Sequence, residues 1–216
     1  MRRFRIVLAI TVVLGVALAG IAPAGERLRT VSISPGLPGI PVAKPEAGMF
    51  LVAQRSLTDP HFRRSVVYLV EHDEEGTLGL IVNRPIDTSL AAALPEIESD
   101  QARQHTLYFG GPVGTSLIFM LLRSESAASG TAHVDQDVYI STDRRVLDQA
   151  LAAKKPNNEM RFFVGHSGWA AGQLDGEIRR GGWHVVPADA DEIFSLEIDS
   201  LWDRLIERLE PSGIAV

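Results

Sequence analysis

The stretch FFVGHSGWAAGQLDGEI, residues 162–178, joins an apolar run, a glycine-bracketed His-Ser pair and an amphipathic segment. The apolar run is part of RFFV, residues 161–164, which is rich in the aromatic and β-branched residues that favour a strand. The amphipathic segment favours a helix that Gly181-Gly182 ends. Its expected buried stripe consists of Ala170, Leu174 and Ile178. The sequence therefore predicts a strand, a turn at Gly165–Gly168 and a helix, which is a unit of an α/β domain.

The Gly-His-Ser-Gly turn has some features of a serine-hydrolase nucleophile elbow. Such an elbow needs a small residue two positions to each side of the serine, and Trp169 stands where the second is required. After Ser167 the only remaining histidine is His184, and the acid between them would be Asp175. Both lie too close in sequence to come from separate strand ends. We therefore expect no catalytic residue here, with a small-molecule hydrolase or other enzyme using the Gly165–Trp169 turn as the alternative.

Strands and helices alternate on both sides of this stretch. Apolar runs predict strands at 49–53, 65–70, 78–82, 108–113, 117–122 and 138–140. Helical spacing of apolar residues predicts helices at 143–153 and near 201–209. Asp59-Pro60 predicts a short turn through Arg64, and EHDEEGT suits an exposed hairpin loop between the second and third strands. The expected fold is a mixed, partly antiparallel sheet with helices packed against it.

The composition, with 45% hydrophobic and 22% charged residues in 216, is that of one globular domain with extra segments. Because the chain has no cysteine, disulfides and thiolate chemistry are excluded. The six histidines show no His-x-x-x-His or His-x-His pair. His72-Asp73-Glu74-Glu75 lacks the ladder of a calcium loop, and GGPVG lacks the lysine of a phosphate loop. We expect neither a metal nor a cofactor.

The N-terminus predicts export. Arg2, Arg3 and Arg5 precede an apolar stretch at 6–21 and then Ala22-Pro23-Ala24, the pattern of an export signal and its cleavage site. The segments expected are an export signal or membrane anchor at 1–24, a Pro/Gly-rich flexible linker at 25–47, the folded domain at 48–210 and a tail at 211–216. The protein is expected in the periplasm, or anchored in the inner membrane through residues 6–21 and facing the periplasm.

The charge argues against nucleic acid as a partner. The formal net charge is −6, and removal of residues 1–24 takes away three arginines and no acid, which lowers it to −9. An acidic chain repels phosphate backbones on average. The sequence also shows no helix-turn-helix pattern or basic stripe. A cytoplasmic transcriptional regulator is therefore the least favoured alternative.

A candidate ligand site lies at one end of the predicted hairpin. Arg63 and Arg64 precede its first strand, and Asn83 and Arg84 follow its second, so both pairs fall at the same end. Guanidinium groups there could hold a carboxylate or phosphate of a small anionic ligand or a partner protein. The alternative is that they brace the turn by pairing with Asp59, Glu71 or Asp87.

Four separated blocks in the sequence resemble the YqgE/AlgH family of bacterial proteins: SLTDPHFRRSVVYLVEHDEEGTLGLIVNRP, YFGGPV, GHSGWAAGQLDGEI and GGWHVVPAD. The resemblance covers about residues 48–209 and implies one α/β domain with a mixed, split sheet and flanking helices. It implies little chemistry, since members are mostly uncharacterised and one branch is named for regulation of alginate synthesis. Members often carry an aromatic residue and an alanine at positions 166 and 167, which argues against a serine nucleophile.

This chain departs from the family pattern in its N-terminal segments and at Gln54-Arg55, where members usually have Met-Pro. The first departure argues against a cytoplasmic role. The function expected from the sequence is thus a non-catalytic binding or regulatory module. Its working surface is expected at the arginine end of the hairpin together with the Gly-Trp-Gln turn, which consists of Gly168, Trp169 and Gln173.

Overall fold

The computed structural model describes residues 43–97 and 99–211. The predicted export signal, all but the last five residues of the predicted linker, and the end of the predicted tail lie outside the described residues. Between the two ends, the chain forms ten strands and five α-helices in the described part.

The strands are β1 (Met49–Ala53), β2 (Val66–His72), β3 (Gly76–Ile81), β4 (Pro85–Ser89), β5 (Thr106–Phe109), β6 (Val113–Arg123), β7 (Ala132–Asp135), β8 (Val138–Ser141), β9 (Met160–Ala170) and β10 (Trp183–Pro187). The helices are α1 (Leu90–Ala93), α2 (Arg144–Ala152), α3 (Gln173–Arg179), α4 (Ala190–Ile193) and α5 (Leu201–Leu209). Short 3₁₀ turns occupy Gln101–Gln104 and Ile198–Ser200.

All ten strands belong to one sheet, and β9 is its junction. The main order is β10-β1-β2-β3-β9-β6-β8-β7, with every neighbouring pair antiparallel. One edge of β9 pairs with β5 in parallel near its start and with β3 near its end, so the sheet splits there. β4 pairs with β5. The predicted fold class, a mixed and split α+β sheet with flanking helices, is confirmed.

The half of the sheet from β10 to β9 is curled. Three strands lie between β10 and β9, which in a flat sheet would separate them by roughly 19 Å at about 4.8 Å per strand. The rings of Trp169 on β9 and Trp183 on β10 nevertheless lie 6.1 Å apart. The curl therefore brings the two ends of this half together, and the candidate site lies at this closure.

The predicted turn at Gly165–Gly168 is wrong, because β9 continues through these residues to Ala170. Gly165 has a φ of +68°, and a Cβ there would lie 2.5 Å from the carbonyl oxygen of Gly111. Glycine therefore lets the strand bend against the GGPVG loop without ending. The pairing of Ser167 and Gly168 with β3 supplies backbone hydrogen bonds that no local pattern reveals. The chain reverses only at Gly172, which has a φ of +70°.

The helix after this strand is shorter than predicted. Leu174 is buried, but Ala170 lies exposed on the strand and Ile178 is only half-buried. The predicted stop at Gly181-Gly182 is confirmed. The amide of Gly181 donates to the carbonyl of Ile178 and that of Gly182 to the carbonyl of Glu177, which is the hydrogen-bond pattern of a Schellman motif.

Most of the other predicted elements are present. Strand β1 has the predicted bounds, β2 and β3 form the predicted hairpin, and α2 and α5 lie where the apolar spacing placed them. The two strands predicted around GGPVG do exist as β5 and β6, but they do not pair with each other because β9 lies between them. Strand β4, whose five residues are mainly exposed, and the four-residue β7 have no pattern in the sequence that predicts them.

Helices cover the sheet with apolar stripes. Helix α2 buries Val146, Leu147, Ala150 and Leu151 in a cluster with Met160 and Phe162 of β9. Helix α5 buries Leu201, Trp202, Leu205 and Ile206, and the indole nitrogen of Trp202 donates to the carbonyl of Ala53 at 2.7 Å. Each large side chain buried in this way stabilises the fold by about 1.5–3 kcal/mol.

Candidate functional site

Ser167 is a buried structural residue. Its side chain is fully buried, and its hydroxyl donates to the carbonyl oxygen of Gly110 at 3.1 Å. His166 precedes it on the strand, so its ring points to the opposite face of the sheet and packs edge-on against Phe119, with ring centroids 5.4 Å apart. The neighbouring histidine is thus turned away from the serine hydroxyl.

The two other candidate triad members are engaged elsewhere. The Nε2 atom of His184 lies 2.7 Å from Oε1 of Glu210, beyond the end of α5. Asp175 lies half-buried on α3. Because neither a histidine nor an acid contacts Ser167 in the described residues, nothing there withdraws its proton as a nucleophilic serine requires.

His166 has an unusual environment of its own. It is 3% exposed, and its Nδ1 atom has no hydrogen-bond partner in the described part of the chain. Glycines adjoin both ends of the ring: a Cβ on Gly114 would lie 3.5 Å from Nδ1, and one on Gly168 would lie 3.7 Å from Nε2. Burial lowers the pKa of His166, because the charged imidazolium would lose its water of hydration. The ring is therefore neutral at pH 7.

The structure brings Arg63, Arg64, Asn83 and Arg84 together at one end of the β2–β3 hairpin. Asn83 joins the two sides, because its Oδ1 accepts from the amide of Val66 at 2.8 Å and its Nδ2 donates to the carbonyl of Arg64 at 3.0 Å. Arg84 donates to the carbonyls of His61 at 2.7 Å and of Arg63 at 3.0 Å. These two side chains hold the loop before β2.

Arg64 is directed away from the hairpin towards α5. Its Nη2 donates to both carboxylate oxygens of Asp203, at 2.8 and 2.9 Å, and its guanidinium lies 4.5 Å from the ring centroid of Trp202. The partners that the structure shows for the cluster are thus Asp203 and backbone carbonyls, and Asp203 is not among the acids expected from the sequence. Asp59 instead accepts from the amide of His61. Of the predicted arginines, Arg63 extends into solvent with its guanidinium unpaired among the described residues.

Of the second predicted group, Trp169 and Gln173 lie around one carboxylate, whereas Gly168 faces the ring of His166. Oε2 of Glu177 accepts from the indole nitrogens of Trp169 at 2.9 Å and of Trp183 at 3.0 Å. Its Oε1 accepts from Nε2 of Gln173 at 3.1 Å, and Oε1 of Gln173 accepts from the amide of Ala170. Both indoles are 3% exposed, so Glu177 satisfies two buried donors at once.

Phe62 connects the two predicted groups. It lies in the loop that carries Arg63 and Arg64, stacks on Trp169 at 5.9 Å and meets Trp183 edge-on at 5.6 Å. We call Phe62, Trp169 and Trp183 the aromatic cluster. Phe62, Trp183 and Glu177 are members of the site that were not predicted from the sequence. The signal for Glu177 was its position four residues after Gln173 on one helix, which places the two side chains on the same face.

The backbone joins the same two segments. The amide of Gln54 donates to the carbonyl of Gly182 at 3.0 Å, which places the C-terminal end of α3 beside the start of the loop. Arg55, at the position where this chain departs from the family pattern, pairs with Glu207 at 2.9 Å. The loop of residues 54–64 therefore contacts the turn that ends α3 through Gln54, and α5 through Arg55 and Arg64.

Two shallow cavities lie elsewhere, on either side of α2. One of about 210 Å³ is lined mainly by apolar atoms and includes Tyr139, Val146 and Lys155. The other, of about 260 Å³, includes Glu96, Thr142 and Arg144. Within residues 43–97 and 99–211, no group of three or more His, Asp or Glu side chains is arranged to hold a metal ion. No helix in that part of the chain has the length and apolar character to cross a bilayer.

Comparison with known proteins gives consistent matches over the folded region. A sequence model of a family described as AlgH-like matches residues 50–212. The UPF0301 protein azo3459 of Azoarcus sp. strain BH72 is 35% identical over 169 residues, which cover 76% of this chain and 88% of that protein. A UPF0301 protein of Mycobacterium avium strain 104 is 35% identical over 193 residues, covering 87% and 86% of the two chains.

Two solved structures are similar over most of the chain. The solution structure of the AlgH protein from Pseudomonas aeruginosa superposes with a TM-score of 0.66 at 31% identity, covering 79% of this chain and 93% of that one. The crystal structure of protein DIP2367 from Corynebacterium diphtheriae gives a TM-score of 0.63 at 25% identity, with coverage of 78% and 90%.

Proposed function

Because the chain belongs to the AlgH-like family, whose matching region covers nearly all of the described fold, we propose that it is a non-catalytic binding protein with a regulatory role outside the cytoplasm. Its binding surface is the loop of residues 54–64 together with α3. The observation that carries the proposal is the packing of Phe62 against Trp169 and Trp183, which holds the arginine-bearing loop against the two strands that precede and follow α3 in the chain.

The charge of this surface favours an acidic partner. Arg63, Arg179 and Arg180 are exposed, and none of them forms an ion pair within the described part of the chain. They lie on the loop and at the end of α3, while the chain as a whole carries net charge −6. A local concentration of unpaired guanidiniums on an acidic protein steers and orients an acidic segment of another protein or a small anion. Phe62, which is half-buried over the two buried indoles, adds an apolar contact of the kind that such interfaces use.

Site-specific crosslinking tests the surface. A photo-crosslinking phenylalanine analogue placed at Arg63 should give a discrete covalent adduct in cells, because the side chain extends from the proposed surface. The matched control is the same analogue at Arg145 on α2, whose side chain is 83% exposed. Adducts of equal size and yield at both positions, or at neither, would contradict the proposal.

The hydrolase alternative has a direct test of its own. A fluorophosphonate probe should leave Ser167 unlabelled, because its hydroxyl is buried and bonded to the carbonyl of Gly110 and contacts no base. Mass spectrometry of the peptide that contains residue 167 measures the labelling. Stoichiometric modification that disappears in the Ser167→Ala variant would identify an activated serine and replace the binding proposal by an enzymatic one.

A further inference from the structure

Arg161 on β9 is a buried cation without a described acidic partner. Its side chain is 2% exposed, and its Nε and Nη1 atoms have no hydrogen-bond partner among the residues that the structure describes. The remaining terminal nitrogen donates to the carbonyl of Ser195, and the guanidinium carbon lies 4.9 Å from the ring centroid of Tyr108. The described residues therefore satisfy one of its three nitrogens and cover one of its faces.

The described contacts of Arg161 do not offset the cost of removing its charge from water. A buried lysine can escape the cost of desolvation by losing its proton, but a guanidinium keeps its charge at every pH at which proteins fold. One carbonyl and one aromatic face compensate only part of that cost. Buried charges in proteins are paired or bound to a ligand. The N–H groups on Nε and Nη1 therefore need an acceptor that carries negative charge.

The surroundings show where such an acceptor would enter. Ser195 and Tyr108 are half-buried, so the guanidinium lies just beneath the surface formed by the segment after α4. Leu196, next to Ser195, is 82% exposed, and among the described residues it is the one large apolar side chain that lies exposed. It directly follows the residue whose carbonyl Arg161 contacts, so it offers an apolar surface close to the charged group in the chain.

We propose that Arg161 lies at the bottom of a binding site for a small oxyanion, which is a carboxylate or a phosphate. The anion enters beside Leu196 and accepts hydrogen bonds from Nε and Nη1 of Arg161. Tyr108 covers one face of the guanidinium and bounds the site. The site is separate from the surface proposed above for an acidic partner, since it is built from β5, β9 and the segment after α4. Its failure would leave that proposal intact.

One acid of the chain itself is a rival for this position. Asp199 is exposed on the 3₁₀ turn that follows Leu196, and its charge acts on Tyr108: burial raises the pKa of Tyr108, Arg161 lowers it, and Asp199 raises it further. A rotation of this turn inward would place its carboxylate against Arg161. The experiment must therefore distinguish an added anion from Asp199.

The test uses the protein purified from cells that express the full chain, with acetate and inorganic phosphate as separate probes at ionic strength held constant with chloride. Thermal unfolding should shift upward with the concentration of at least one probe, because a ligand that binds only the folded state stabilises it. Acetate alone would indicate a carboxylate site and phosphate alone a phosphate site. In the Arg161→Met variant, affinity for the active probe should fall by about tenfold or more, since the charge-assisted hydrogen bonds are lost.

The matched control is Arg103→Met, which removes an exposed arginine and should leave the response unchanged. NMR of arginine side chains in the wild-type protein gives a readout that does not depend on whether Arg161→Met folds. The Nε–H signal of Arg161 should shift on titration with the active probe. A signal that neither anion moves, with no upward shift in unfolding temperature, would overturn the proposal. A signal that moves instead in the Asp199→Asn variant without added anion would identify Asp199 as the counter-ion and overturn it equally.

Discussion

Gly165 shows how one residue sets the path of the central strand. With a φ of +68° and the carbonyl oxygens of Gly111 and Val113 within 2.9 Å of a Cβ, it has neither the backbone conformation nor the space for a side chain. Gly168, three residues later, has an ordinary φ, and the nearest atom to a Cβ would be 3.7 Å away. Two glycines of one motif therefore have different structural importance.

This difference predicts unequal effects of the same substitution. Gly165→Ala should lower the free energy of unfolding by about 3 kcal/mol or more, because it combines backbone strain with a clash against backbone atoms that cannot move aside. Gly168→Ala should change it by less than about 1 kcal/mol. Urea denaturation of the two variants measures both values. Equal losses would show that the bend at Gly165 does not require glycine.

His166 gives the protein a dependence of stability on pH. Burial lowers the pKa of His166, and burial is also the main cause of the lowered pKa of His105. The unfolded chain therefore binds protons below about pH 6.5 that the folded chain does not. Stability is complete above that pH and falls as the pH decreases towards the folded pKa, by up to about 1.4 kcal/mol per pH unit for each histidine.

The variant His166→Phe isolates one of these contributions. Its aromatic ring can occupy the same position beside Phe119, and it has no titratable nitrogen. Urea denaturation at pH 7.5, 6.5 and 5.5 should show a smaller loss of stability on acidification than in the wild type. An unchanged slope would mean that His166 binds its proton equally well in the folded and unfolded states.

At the scale of elements, α3 is attached to the sheet by the hydrogen bonds of Glu177 and the burial of Leu174. Glu177 accepts hydrogen bonds from two indoles on strands β9 and β10, while Leu174 is the fully buried apolar residue of the helix. A seven-residue helix has little stability of its own. Its position, and with it the proposed binding surface, thus depends on Glu177.

Replacement of this carboxylate should be costly. Glu177→Ala leaves the buried N–H groups of Trp169 and Trp183 without an acceptor and should lower the free energy of unfolding by about 3 kcal/mol. Tryptophan fluorescence should change in the folded state as well, since both indoles lose their partner. Asp175→Ala on the same helix is the matched control and should cost less than about 1 kcal/mol. A small effect of Glu177→Ala would show that packing alone holds the helix.

The elements that the sequence predicted are those with strong local patterns. Helix α5 and strand β1 follow from apolar spacing over a single segment, and the β2–β3 hairpin follows from its short polar loop. The continuation of β9 through Gly168 could not be predicted, because it depends on pairing with Leu78, 90 residues earlier in the chain. The position of β9 between β5 and β6 has the same cause.

The candidate site likewise has features that could be predicted from the sequence and features that could not. Sequence placed the four residues of the arginine group at one end of a hairpin, which requires only the register of neighbouring strands. It could not show that Arg64 pairs with Asp203, 139 residues away, or that Phe62 packs on Trp169. Contacts of this kind arise from the curl of the sheet and the docking of α5, and no local spacing encodes them.

At the scale of the whole molecule, the folded domain is similar to those of its relatives. The N-terminal sequence, in contrast, predicts that this protein is exported from the cytoplasm. The family model matches residues 50–212, and the pattern that predicts export lies entirely before residue 50, in Arg2, Arg3, Arg5, the apolar stretch at 6–21 and Ala22-Pro23-Ala24. If the segment acts as an export signal, the proposed binding surface meets its partner in the periplasm. Regulation would then depend on contact with another protein or ligand there.

Export makes a prediction that is independent of the binding surface. Cell fractionation should recover the protein in the periplasm or the inner membrane, and N-terminal sequencing of a cleaved form should begin near Gly25, because the small residues Ala22 and Ala24 satisfy the requirement of signal peptidase. Replacement of both alanines by bulky residues should block cleavage and leave the uncleaved chain in the membrane, held by its apolar stretch. The matched control, with the same replacements at Ala43 and Ala47, should be cleaved normally. Recovery of the full-length wild-type chain in the soluble cytoplasm would contradict export and return the protein to the compartment of a cytoplasmic regulator.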